Sequence, residues 1–411
     1  MKKIIYLLVG LLAILCIIFY HNRINKVLDV TNFAWLSFSN ANPLKERAGR
    51  AEKAKGDIVI GVAGPWKTAQ FRSVLDGVRL AADEINASGG ILGRKIVLIE
   101  SDDQGREDVG EMIAQKFCNN MDMIAVLGHM TSLVSESAAV LYDYNGLPMI
   151  TPMSTAAKVL SYRPNGLIFR NNPVSEEYAK ILMEFMKMAG FSKLIVYNDN
   201  DGNYIGLADM VCRYAHMEGV IIVDRRKFDS TSNNVYFKRD LEEWKFLYGE
   251  RFDSILIIGP VDKTAEVLKE ARTLGMPKQF FSIDISPDVF IKTSGKMAED
   301  VIISSFDTSG GPAGPREYFR EAFIKKFGHE PDYNAIRGYD TLKVIANAII
   351  SAGSSIPSKI AAALVNKTYQ GLFGPVSFDH KGELVQKRCA IYKIKDSRAI
   401  KLKRDEWGKK Q

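Results

Sequence analysis

The sequence predicts an α/β protein built as two lobes, each around a mostly parallel sheet with helices on both faces. Three observations carry this. From Asp57 onward, short β-branched runs alternate with segments whose apolar residues recur three and four apart. The alternation restarts near Lys193, and one sheet holding every strand would be large for a single core. No short repeat or low-complexity tract interrupts it, which excludes a solenoid or propeller. The 411 residues, 46% hydrophobic and 25% charged, are ordinary for a globular chain and long enough for two or three domains.

The chain opens "MKK", then runs through 17 uncharged, mostly apolar residues, Ile4 to Tyr20. That length is at the lower edge for spanning a bilayer and long for the apolar core of a signal peptide. No small-x-small cleavage pattern follows. Ile14 and Leu15 before Cys16 make a poor lipoprotein processing site. Residues 1–21 are therefore expected to form an uncleaved hydrophobic anchor helix, with a cleaved signal as the alternative. Lys2 and Lys3 on one side and Arg23 and Lys26 on the other nearly balance, so charge sets the orientation only weakly. Residues 22–56 read as a tether.

The formal net charge is +7, and much of the excess sits in "KERAGRAEKAK" near the start and "KIKDSRAIKLKRDEWGKK" at the end. A charge weighted to a linker and a terminus (404–411 reads as a basic tail) describes solvated segments. No nucleic-acid motif accompanies it, so no nucleic-acid partner is expected. Cys16, Cys118, Cys212 and Cys389 form no CxxC pair. They are expected to be free thiols, with one disulfide among the last three left open.

The elements follow in order. "DIVIGVAG" reads as the first strand, and "FRSVLDGVRLAADEINASGG" as a helix stopped by Gly89 and Gly90. "KIVLIESDD" is a strand, "EDVGEMIAQKFCNN" a helix, "MIAVLGHM" a strand, "TSLVSESAAVLYDYN" a helix and "LPMITP" a strand. In the second series "KLIVYND" leads to a helix from about Tyr204 to His216. "GVIIVDRRKF" precedes a helix in "VYFKRDLEEWKFL", "FDSILIIGP" a helix in "DKTAEVLKEARTLG", and "QFFSID" follows. The glycine-rich "DTSGGPAGP" leads into a helix through Phe327, and "GYDTLKVIANAIISAG" is a further helix. "GPVSFDHKG" with "RCAIYKIK" reads as a closing hairpin. The late helices and the hairpin are assignable to different lobes, so the chain crosses between lobes more than once.

Ligands of parallel α/β sheets bind beyond the carboxyl ends of the strands. There the sequence places two hydroxyl pairs, Thr131 with Ser132 and Ser154 with Thr155, each where a helix is expected to begin. Each pair alone is accounted for by helix capping. Together, two helix N-termini with their free N–H groups form a candidate cradle for one carboxylate. GxSxG, P-loop and HExxH signatures are absent, and the histidines do not cluster, so no enzyme, metal or cofactor is expected. His129 at a strand end reads as structural. Trp66 and Phe71 in the first strand-to-helix loop, and Tyr204 in the corresponding loop of the second lobe, are candidates to line a side-chain pocket.

The blocks "IVIGVAGPW", "DGVRLAADEINASGGILGRKIVLIESDDQ", "VLGHMTS", "GLPMITPMST" and "GLFGPVSFDHKGEL", in this order, resemble the Leu/Ile/Val-binding family of extracytoplasmic solute-binding proteins over about Asp57 to Lys395. The resemblance implies the type I periplasmic binding fold, two Rossmann-like lobes (57–173 with 306–374, and 174–305 with 375–403) joined by three hinge crossings. It implies no catalysis. A small, amino-acid-like ligand is captured by lobe closure and delivered to the membrane subunits of an ABC permease at the outer face of the cytoplasmic membrane. A membrane-anchored receptor of the same fold, signalling occupancy to a partner protein, is the alternative, and an α/β enzyme a remote one.

By position the resemblance makes Ser132, Ser154 and Thr155 the carboxylate set and the Met153 carbonyl an acceptor for the ammonium group. Asp284 in "FFSIDIS" stands where the family has a glutamate for that ammonium, one methylene shorter. Phe71 and Tyr204 fall at aromatic positions over the ligand. Pro260 and Val261 replace an aromatic after "SILIIG". Thr131 replaces a cysteine, which leaves Cys118 without a partner.

Overall fold

A computed structural model describes residues 42–232, 237–386 and 388–408, with only the backbone at Ala69 and Gln70. The expected anchor at 1–21 lies outside the described residues. Among the described residues no single helix is long and apolar enough to cross a membrane. The chain divides into a unit ending at Glu46 and one running from Arg47 to the C-terminus. Of the first, the described part is a helical start at which the Asn42 Oδ1 accepts from the Leu44 N–H at 3.0 Å.

The second unit contains two sheets. The first has the order β2-β1-β3-β4-β5 and is all parallel: β1 (Ile58–Gly64), β2 (Ile96–Asp102), β3 (Met123–Leu127), β4 (Met149–Thr151) and β5 (Ile168–Arg170). The second has β6 (Lys193–Asp199), β7 (Ile221–Phe228), β8 (Ser254–Ile258), β9 (Gln279–Ile283) and β10 (Ile302–Phe306) in the order β7-β6-β8-β9-β10, also parallel. Both lobes thus share one doubly wound order, with the switch point between first and third strands. β13 (Cys389–Lys395) and β14 (Arg398–Leu402) extend the second sheet antiparallel. Strands buried on both faces are continuous apolar runs rather than alternating ones, as β3 and β8 show.

Helices cover both faces. In the first lobe α2 (Ala69–Ala87) and α11 (Tyr333–Ala352) bury Val74, Val78, Leu342 and Ile345 on one side. α3 (Glu107–Asn119) and α4 (Ser132–Tyr144) bury Phe117, Ala138 and Tyr142 on the other. In the second lobe α5 (Ser175–Ala189) and α6 (Gly202–Glu218) cover one face. α7 (Phe237–Tyr248), α8 (Val261–Thr273) and α9 (Pro287–Ser294) cover the other. Helices α2 and α11 meet backbone to backbone. A Cβ on Gly77 would stand 1.9 Å from the Ala335 carbonyl oxygen, and one on Gly338 2.0 Å from that of Val74. No other residue fits there.

Four expectations change. The tether at 22–56 contains a helix, α1 (Pro43–Lys53), whose Ala51 is buried in the first-lobe core. Its periodicity is hard to see because the residue that docks it is charged. Arg47 is fully buried and donates to the carbonyls of Cys118 (2.6 Å), Asn120 (2.8 Å), Met123 (2.7 Å) and Asn145 (3.1 Å). The oxygens of Cys118, Asn120 and Asn145 lie at the C-terminal ends of α3 and α4, where unsatisfied carbonyls and the helix dipole favour a cation, and that of Met123 opens β3.

The expected lobe boundary at 374/375 moves. Val376, Phe378 and Leu384 pack in the first-lobe core, and Arg170 grips Glu383 at 2.9 and 2.5 Å, so the crossing falls just before β13. The expected hairpin does not form. β12 (Gly374–Val376) pairs with β11 (Tyr369–Gly371), and β13 with β14. Fourth, the segment from 404 is not simply a solvated tail, because Trp407 is buried in the second lobe against Phe185. The other two crossings follow β5 and β10; α10 (Ala313–Phe327) returns to the first lobe through Phe319 and Phe323.

Arg47→Ala orphans several buried carbonyls and is expected to cost on the order of 3 kcal/mol. Denaturant unfolding checks this, as does a chain begun at Asp57, which should melt below one begun at Asn42.

Candidate functional site

The carboxyl ends of β1, β3 and β4 carry the loops that form the first-lobe side of the site. Thr131 is the N-cap residue of α4 but makes no side-chain cap bond, and its buried Oγ1 has no hydrogen-bond partner among the described residues. The expected second helix start is not an α-helix: after Thr155 the chain makes one 3₁₀ turn, Ala157–Leu160. The cradle is held by Ser132, whose Oγ accepts from the backbone N–H of Thr155 and of Ala156, both at 3.1 Å. This bond ties α4 to the loop after β4 and leaves the Ser132 hydroxyl proton to donate.

Ser154, expected among the ligand groups, is structural. It is 1% exposed, its Oγ lies 2.7 Å from that of Ser135 and accepts from Thr151 Oγ1 at 3.0 Å, and its N–H donates to Thr151 Oγ1. Buried hydroxyls must be paired, and this cluster pairs them with one another and with the His129 carbonyl. His129 itself is buried between Asp103 (2.6 Å) and the Tyr142 hydroxyl (3.1 Å), in the structural role expected of it. The Met153 carbonyl already accepts from Asn172 Nδ2 at 2.7 Å, while its side chain packs on the core.

From the second lobe, Asp284 follows β9 with a left-handed backbone (φ 56°), its N–H donating to the Ser304 carbonyl at 2.9 Å. Its carboxylate crosses to the first lobe, where Thr155 Oγ1 donates to Oδ2 at 3.1 Å. Burial pushes the Asp284 carboxyl up to about 7, against the opposing pull of the Thr155 hydrogen bond and the Arg337 charge. Tyr178, Tyr204 and Tyr333 all feel the Asp284 charge, and burial above all raises each phenol. The structure thus brings Ser132, Thr155, Asp284 and Tyr204 to one place.

Phe71 and Trp66 pack on the first-lobe core, and Trp66 folds over Gly64, its buried Nε1 without a partner among the described residues. Among the described residues Cys118, Cys212 and Cys389 form no disulfide. Sequence reasoning missed Arg337 and Tyr333. Their one signal was a cation on the apolar face of the helix that begins "YNAIRGYDTL".

The periplasmic binding protein family matches residues 58–399. The chain belongs to that family. It is 25% identical over 361 residues to the amino acid binding protein of Pseudomonas aeruginosa, which covers 85% of this chain and 93% of that one. It is 26% identical over 349 residues to the Leu/Ile/Val/Thr-binding protein of Salmonella typhimurium, covering 81% and 89%. Among solved structures, the ABC transporter substrate-binding protein of Desulfitobacterium hafniense in complex with Leu is 30% identical, with a TM-score of 0.71 over 84% of this chain and 100% of that one. This periplasmic binding protein is a solute-binding protein of the Leu/Ile/Val-binding kind and not an enzyme, and its family works outside the cytoplasm.

Because the folded state holds the Asp284 proton to higher pH than the unfolded chain does, that contribution to stability is present at low pH and lost as pH rises from about 4 through about 7. Asp284→Asn removes this dependence. Between about pH 5 and about pH 8 the ligand-free wild type should lose roughly 2 kcal/mol more than the variant, a figure that allows for the residue's remaining exposure. Thermal unfolding across that range tests it.

Proposed function

We propose that the chain captures a small amino-acid-like solute between its closing lobes, outside the cytoplasm, and hands it to an ABC permease. The 3.1 Å bond from Thr155 to Asp284 carries this reading. It joins the carboxyl edges of the two sheets, so the residues that would bind the two ends of a zwitterion already meet. An α-carboxylate would take the Ser132 hydroxyl proton and the Thr155 hydroxyl. The ammonium group would take Asp284 from Thr155. These contacts exist only with the lobes together, and that difference in affinity is what drives closure.

The amino-acid specificities of the relatives from Pseudomonas and Salmonella support the same solute class. On this reading the N-terminal apolar segment keeps the protein at the membrane, beside the permease. Asp284 has to be ionised to hold an ammonium group, so binding should strengthen as pH rises through about 7.

The test is ligand-dependent thermal stabilisation of the full chain against the amino acids. At least one should raise the melting temperature. Thr155→Ala and Asp284→Asn should weaken that ligand tenfold or more, about 1.4 kcal/mol for each tenfold, with Thr155→Ser retaining binding. Stabilisation by no amino acid, or loss of fold and binding in equal measure in both variants, would refute the proposal.

A further inference from the structure

The loop after β4, which carries Thr155, is fastened by the first crossing between the lobes. The Asn171 N–H donates to the Thr151 carbonyl at 2.9 Å. Arg170, wholly buried at the end of β5, donates to the Ala156 carbonyl at 2.6 Å. Up to Asn171 the chain is thus fixed to the first lobe. From Ser175 it is α5, whose Tyr178 is buried in the second-lobe core. The Ser304 hydroxyl donates to the Tyr178 carbonyl at 2.9 Å and fastens it to β10. A pivot of this crossing has to lie in the few residues between.

Asn172 stands at that pivot and is 1% exposed. Its side chain reaches into both lobes. Nδ2 donates to the Met153 carbonyl at 2.7 Å, and Oδ1 accepts from the Tyr178 hydroxyl at 3.1 Å. The partners set the direction of the amide, because a carbonyl can only accept. Alongside, the first N–H of α5, that of Ser175, donates to the Thr155 carbonyl at 2.9 Å. If the second lobe swings away and takes Asn172 with it, the Met153 bond is lost. If Asn172 stays with the first lobe, the Tyr178 bond is lost. Hydrogen bonds weaken steeply with misalignment, and a buried amide short of a partner is costly. Both bonds are complete only with the lobes at the angle that also lets Thr155 reach Asp284.

We infer that Asn172 is a positioning residue: bridging Met153 and Tyr178, it clamps the first crossing in the closed arrangement and so sets how readily the lobes close. This rests on the proposed function, capture of an amino-acid-like solute by lobe closure. The clamp's bonds lie within the chain, so they favour closure equally whichever solute is bound. Apparent affinity scales with the population of the binding-competent form. The clamp therefore raises the affinity for every solute by one common factor, while Ser132, Thr155 and Asp284 choose among solutes.

The experiment is calorimetric titration of the full chain with each amino acid that raises its melting temperature, beginning with L-leucine and L-threonine. It is run on the wild type, Tyr178→Phe, Asn172→Ala and the double variant. Each single variant should weaken every bound amino acid by about fivefold or more, by the same factor for all of them to within about twofold. The double variant should bind no more than about twofold more weakly than Asn172→Ala, because that substitution already removes both arms of the clamp. A merely structural role would lower the ligand-free melting temperature and leave the affinity of the folded protein unchanged. Unchanged affinity in either variant, a loss confined to one of several ligands, or losses that add in the double variant would overturn the inference and leave the amino-acid reading standing. Where neither variant folds, deuterium uptake of the wild-type segment 171–178 decides: it should fall on adding the amino acid, and unchanged uptake overturns the clamp. If no amino acid binds the wild type, the amino-acid reading fails and the inference falls with it.

Discussion

The contact on which the site depends is the backbone-to-backbone crossing of α2 and α11 at Gly77 and Gly338, where even a methyl group would collide with a carbonyl oxygen. α11 comes late in the chain, after two crossings between the lobes, and this crossing seats it back in the first lobe. Only because the two helices sit this close does the start of α11 reach under the loop after β4, so that Arg337 meets the Pro152 and Asn171 carbonyls. Tyr333, one turn earlier, reaches Phe306 at the end of β10. A core-packing constraint thus delivers the charged floor of the cleft.

The cradle above that floor depends on hydroxyl chemistry rather than on formal charge. Thr151, Ser135 and Ser154 bond one another and the His129 carbonyl, and so fix the loops after β3 and β4 relative to each other. Ser132 then ties the same loops from the cleft side. Ser154 spends its hydrogen bonds inside the first lobe, while its neighbour Thr155 sends its hydroxyl across to Asp284. Arg47 holds the opposite ends of α3 and α4. The helix that presents Ser132 at its N-terminus is therefore tied at its C-terminus by a residue from the segment expected to be a tether.

The alternation of strands and helices and the two parallel sheets were legible in the sequence, as was the placing of the proposed site's hydroxyls at the strand ends. Each follows from local periodicity or from the topology that periodicity forces. Asp284 entered as an expectation only through the family resemblance, by its place after "QFFSI". What only the tertiary structure decided depends on groups far apart in the chain. Examples are the docking of Arg47 onto four carbonyls, the return of 376–384 to the first lobe, and the separation of Ser154 from Thr155 in role. The clearest case is Arg337, buried near the start of α11 and donating to the Pro152 and Asn171 carbonyls, partners that only the fold brings to it. Periodicity reports which face of an element is apolar; whether a charge on that face finds a partner is settled by residues from other elements.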